Sequence, residues 1–144
     1  MANDAERQSA STDEGGDAAC WAHLFDDETS PGSAVDLAPF LEAAHGADGV
    51  QWALDDSADL NVNLVRLGAD GAIERHVNGE VDVALIVLAG TGTLHCDTAR
   101  HELAPNVVAH VPKGAARAVV AGPDGLAYLT VHRRRGPLGI SPRR

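Results

Sequence analysis

From residue 50 onward the sequence is cut into short runs of Val, Leu, Ile and Ala by Gly, Pro, Asn and Asp, at intervals too brief for helices. Nine runs read as strands: 50–54, 60–67, 72–77, 81–88, 91–96, 100–103, 106–111, 116–120 and 126–132. Turn signals separate them at Gly68–Gly71, Asn78–Gly79, Ala89–Gly92, Asp97–Ala99, Pro112–Gly114 and Gly122–Gly125. So many short strands predict an all-β chain closed, or nearly closed, into a single small antiparallel barrel. Aromatic residues make up only 3% of the sequence, so Val, Leu, Ile and Ala must fill the interior.

Only one helix is expected. Over residues 35–45, within the segment 35–48, Val35, Leu37, Phe40, Leu41 and Ala44 recur near a 3.6 period, with Pro39 in the first turn and Gly46 at the end. Residues 1–34 are rich in Ala, Ser, Asp, Glu and Gly and predict a disordered acidic extension. The barrel is expected over 49–135 and a basic tail over 136–144.

Charge narrows the function classes. Residues 1–48 hold eleven acids and one base, Arg7, whereas residues 49–144 hold ten of each. An acidic head, with Arg133, Arg134, Arg135, Arg143 and Arg144 clustered at the end, does not describe a nucleic-acid surface. No apolar run reaches the ~20 residues of a membrane-spanning helix. Residues 1–16 show no signal-peptide pattern, and Cys20 and Cys96 form no CxxC motif, so a cytoplasmic protein is expected. His95, Cys96, Asp97 and His101 bracket one hairpin turn and read as its polar tip.

Two stretches carry more specific spacing. Asp70–Gly90 (DGAIERHVNGEVDVALIVLAG) and Asn106–Arg117 (NVVAHVPKGAAR) resemble the two motifs of the cupin superfamily, which implies a jelly-roll barrel over roughly residues 50–135. In the first motif Asp70 stands at the glycine place, His76 at the first histidine, Asn78 at the second and Asp82 at the glutamate, and Gly90 closes it one residue late. In the second, Asn106, Pro112, Gly114, Arg117 and Ala121 keep the spacing, with Arg117 at the histidine place. The family gathers three histidines and a glutamate on a divalent ion inside the barrel. Here an amide and a guanidinium replace two of the imidazoles, and a guanidinium has no lone pair to donate.

Three readings follow from those letters. In the first, the barrel binds a small anionic molecule without a metal: Arg117 clamps the anion, Asn78 and Asn63 position it, and His76 donates hydrogen bonds or acts as the catalytic acid or base. Glu80 and Asp82 then serve as carboxylate partners, or pair with Arg117 and fill the pocket with a salt bridge. In the second, a displaced ligand set drawn from His76, Asp82, Glu80, His110 and His132 holds Fe, Mn, Zn or Ni for an oxygenase, isomerase or lyase. The third is a non-catalytic interaction or regulatory protein. The resemblance implies a homodimer; no nucleic acid and no membrane are expected as partners.

Overall fold

The computed structural model describes residues 31–42 and 48–135. The chain divides into two compact units, 1–35 and 36–144; of the first, residues 31–35 are described and form no regular element. The extension expected over 1–34 and the tail expected over 136–144 therefore lie almost wholly outside the described residues.

Within the second unit a short helix, α1 (Ala38–Glu42), precedes seven strands: β1 (Gly49–Ala53), β2 (Leu60–Leu67), β3 (Ala72–Val77), β4 (Val83–Cys96), β5 (Ala99–Leu103), β6 (Val108–Val111) and β7 (Ala116–Arg133). The carboxylate of Asp36 accepts a hydrogen bond from the Ala38 amide at 2.9 Å, satisfying one of the orphan donors at the start of α1. No helix among the described residues is long and apolar enough to cross a membrane.

All strand pairs are antiparallel, and the topology rests on β4 and β7, which serve two layers each. Residues 84–87 of β4 lie between β6 and the second half of β7, which β2 and then β1 extend. Residues 92–96 of β4 lie between β5 and the first half of β7, which β3 flanks. Side chains from both layers meet in one core, in which Leu67, Leu85, Leu94, Leu103, Val83 and Val87 are fully buried. Each contributes roughly 1.5–3 kcal/mol by leaving water. The result is a small antiparallel barrel of jelly-roll form.

The nine expected strands become seven because two pairs are continuous. Ala89–Gly92 and Gly122–Gly125 read as chain reversals, but both lie inside long strands. The β4–β7 register slips between Val87 and Ala89 and again between Gly90 and Gly92, so these residues bend a strand rather than end it. Gly90 has φ +75° and Gly125 φ +76°, and a Cβ on Gly90 would overlap the Gly125 carbonyl oxygen. The backbones cross there too closely for any side chain.

Asp70 and Asn106, which stand at the two motif glycine places, have φ +59° and +73°. Asx side chains tolerate this left-handed region better than any others except glycine. Asp97 (φ +52°) turns the β4–β5 hairpin and ties it to β7: its amide donates to the Ala116 carbonyl and its carboxylate accepts from the Ala116 amide at 2.9 Å. The expected polar tip thus has a structural fastening.

These geometries yield a test. Asn106→Gly is expected to leave stability within about 0.5 kcal/mol of wild type, whereas Asn106→Val is expected to cost about 1–2 kcal/mol, the left-handed penalty of a β-branched residue. Gly90→Ala is expected to cost about 3 kcal/mol or more, because strain and backbone overlap coincide. Urea unfolding midpoints of the three variants measure all three.

Candidate functional site

Inside the barrel lies a cavity of about 260 Å³, near the small end of the range of ligand pockets. Its position follows from strand alternation. Along the second half of β7, Tyr128, Thr130 and His132 share the inward face; across from them β2 sends in Asn63 and Val65, and β4 sends in Leu85. The first half of β7 contributes Arg117 and Val119, and β3 contributes Ile73 and His76.

The last pair needs an irregularity. Ile73 and His76 are three residues apart, which on a regular strand would put them on opposite faces. Ile73 pairs with Val119 and His76 with Arg117, so β3 carries one extra residue and both side chains reach the cavity. Asn78, just past the end of β3, also lines it.

Arg117 dominates the electrostatics. Its Nε donates to His76 Nε2 at 3.1 Å, while its Nη1 is buried with no hydrogen-bond partner. Burial holds its pKa below the usual guanidinium value, and Arg135, which also lines the cavity, pushes the same way; Tyr128 and Cys96 oppose the shift. Tyr128 is 4% exposed, and its pKa is pushed up to about 12, chiefly by burial and partly offset by Arg117. It is therefore a neutral phenol, able to donate, at ordinary pH.

His76 is held at both ring nitrogens. Nδ1 lies 2.9 Å from the Glu74 carbonyl oxygen, which can only accept, and Nε2 faces the Arg117 N–H, which can only donate. This assigns the neutral tautomer with its proton on Nδ1. The Nε2 lone pair that a general base or metal ligand needs is occupied by the guanidinium.

The remaining sequence candidates divide between cavity and exterior. Asn63 lines the cavity; its Nδ2 donates to Asn61 Oδ1 at 2.6 Å and approaches Thr130 Oγ1 at 3.5 Å. Asn78 also lines it, but its Oδ1 accepts from the Glu80 amide at 3.0 Å and approaches that of Val81. This Asx turn breaks the extended path after β3, and neither Glu80 nor Asp82 pairs with Arg117 as one reading expects. Glu80 instead pairs with Arg135 Nε at 3.2 Å, with both side chains about half exposed. Asp82 accepts from the Lys113 amide at 2.8 Å and approaches His110 Nε2 at 3.3 Å, and these contacts hold its carboxyl below the usual range.

Among the described residues no carboxylate pairs with Arg117, so a salt bridge does not fill the pocket. Nor does the donor set fit a divalent ion. His110 is bound up with Asp82, His132 Nδ1 lies 2.8 Å from the Arg133 carbonyl, and no three His, Cys, Asp or Glu side chains converge among the described residues.

Tyr128, Thr130 and Arg135 are polar cavity residues that none of the sequence readings places at the site. The alternation Leu126–Tyr128–Thr130–His132 was the available signal, since it sets the chain's single tyrosine and two further polar groups on one strand face.

No family model matches the sequence, and no curated protein does either. Solved structures do match. A protein from Thermus thermophilus (TT1209) superposes with a TM-score of 0.62 at 22% identity, over 72% of this chain and 98% of that one. A protein with a double-stranded β-helix domain from Klebsiella pneumoniae gives 0.60 at 14% identity, over 71% and 90%. A cupin superfamily protein from Desulfitobacterium hafniense DCB-2 gives 0.59 at 18%, over 73% and 94%. Two long bent strands shared between layers are the architecture described above, and the chain is built on the cupin fold, the double-stranded β-helix.

Proposed function

We propose that this barrel is a receptor for a small anionic molecule, bound inside the cavity without a metal ion. The observation that carries the reading is Arg117 among the residues lining the cavity, with its Nη1 buried and without a hydrogen-bond partner. A buried charged donor left unpaired costs free energy, and an anionic oxygen is the partner that recovers most of it, through a charge-assisted hydrogen bond. Tyr128 supplies a second donor from the same strand, and Asn63 and Thr130 offer polar atoms on the adjoining wall.

In this reading His76 is a positioning residue. Its Nε2 accepts the Arg117 Nε–H and the Glu74 carbonyl fixes the ring, so the guanidinium plane is set before a ligand arrives. Preorganisation of this kind lowers the entropy lost on binding. Arg135 stands at the exposed rim with Glu80.

Two measurements test the site. Adding acetate, sulfate or phosphate at fixed ionic strength is expected to raise the melting midpoint of the wild type relative to chloride. Arg117→Met is expected to abolish that response while raising the ligand-free stability by about 1 kcal/mol, because the orphaned buried donor is gone. A lower ligand-free stability, with no anion response in the wild type, would favour a purely structural arginine.

The chain has one tyrosine, so phenolate absorbance reports Tyr128 alone. A folded pKa near 12 against 10.0 means that below pH 10 the group has no effect on stability. Above pH 10 the unfolded chain loses this proton first, and stability falls as pH rises, by at most about 3 kcal/mol near pH 12. Tyr128→Phe is expected to remove that part of the alkaline loss. Phenolate appearing at pH 10 in the folded protein would show that the hydroxyl is solvated.

A further inference from the structure

The cavity's charge balance and its inner wall narrow the anion further, an inference that rests on the anion-receptor reading. We infer that the site is built for a small monocarboxylic acid with an apolar body, and selects against dicarboxylic acids and polyhydroxylated sugar acids.

The charge count comes first. Two guanidinium groups line the cavity, Arg117 and Arg135. Arg135 is already paired with Glu80 at 3.2 Å, whereas among the described residues Arg117 faces no carboxylate. His76 adds no charge, since its two contacts define the neutral ring. Of the two guanidinium groups one is left without a carboxylate, and one anionic group matches it; His132, which also lines the cavity, is tied through Nδ1 to the Arg133 carbonyl.

The wall comes second. The most buried residues lining the cavity are Val65, Leu85, Val119 and Tyr128, 8%, 1%, 2% and 4% exposed, and Ile73 packs against the same cluster. Apart from the Tyr128 hydroxyl this wall offers no side-chain polar group. A second carboxylate turned toward this wall would be stripped of water with no counter-charge, and a row of hydroxyls would need more hydrogen bonds than Asn63, Thr130 and the Tyr128 hydroxyl offer. A second carboxylate turned outward meets an arginine that Glu80 already neutralises, and Glu80 itself repels it. An aliphatic or aromatic body gains from the same wall by leaving water. The cavity's volume, about 260 Å³, keeps that body small.

The experiment is calorimetric titration of the full chain at neutral pH and fixed ionic strength with isovalerate, benzoate, succinate, gluconate and the neutral isovaleramide. The expected result is that isovalerate or benzoate binds at least about tenfold more tightly than succinate, gluconate or the amide, and that Arg117→Met loses this binding. Glu80→Gln frees Arg135, and is expected to improve succinate binding about two- to fivefold, on the scale of an exposed ion pair, with isovalerate nearly unchanged. Succinate or gluconate binding as tightly as the monocarboxylates in the wild type would overturn this inference and leave the anion receptor standing. An unchanged succinate affinity in Glu80→Gln would overturn the charge balance on which it stands. Tight binding of isovaleramide, or no binding by any of the five, would overturn the receptor reading and this inference together.

Discussion

The site is organised by one contact, the hydrogen bond from Arg117 Nε to His76 Nε2 between paired positions of β7 and β3. In a metal-binding barrel of this architecture two imidazoles in these places would be joined through an ion. Here the link is direct, and it makes opposite demands on its surroundings. A divalent ion needs carboxylates and lone pairs turned toward it. A guanidinium needs acceptors, and the lone pair of His76 is the one the barrel provides. The two acids that could have joined it face elsewhere, Glu80 to Arg135 and Asp82 to the Lys113 amide and His110. The cavity consequently keeps a cation with unused donor capacity, which is the condition for holding an anion.

The fold makes this possible by feeding both halves of one strand into the same cavity. Arg117 lies in the half of β7 paired with β3, and Tyr128 in the half paired with β2. Between them the strand is carried round the barrel at Gly125, where φ is +76°, opposite Gly90 of β4. A side chain at Gly90 would meet the backbone of Gly125 and Leu126 in β7, and one at Gly125 would meet the Leu67 carbonyl of β2.

Much of this was legible in the sequence because strand periodicity and turn chemistry are local. The runs at 60–67 and 72–77 read directly as β2 and β3, and the placing of Asp70 and Asn106 at glycine positions agrees with their left-handed backbone. What failed was non-local. Gly-rich stretches mark both reversals and bends, and only the register between β4 and β7 distinguishes them. The helix expected over 35–45 starts three residues late, at Ala38, because Asp36 caps it from outside, and it is described as far as Glu42; residues 43–47 lie outside the described part. Motif spacing marked His76, Asn78 and the two acids together, but the Asx turn at Asn78 redirected Glu80 and Asp82, a change of direction that no count of residues reveals. Tyr128 and Thr130 were hidden for the opposite reason. Their strand was recognised, but which of its faces looked into a cavity depended on β2 and β4.

The chain as a whole is unsuited to attracting anions, and this bears on how such a site has to work. The formal net charge is −10, and the acidic excess is concentrated in residues 1–48. A negative field at long range slows the approach of a negative ligand, so electrostatic steering gives no advantage. Affinity must then come from what happens after entry. Arg117 is partly withdrawn from solvent, and screening by salt weakens a buried charge less than an exposed one. On the proposed reading, the residence time of a ligand, rather than its arrival rate, is the quantity the cavity would control. A held guanidinium, a phenol that keeps its proton and a largely aliphatic wall would all act on that step: each would lose a favourable contact when a ligand leaves, and none would act on it beyond the mouth of the barrel.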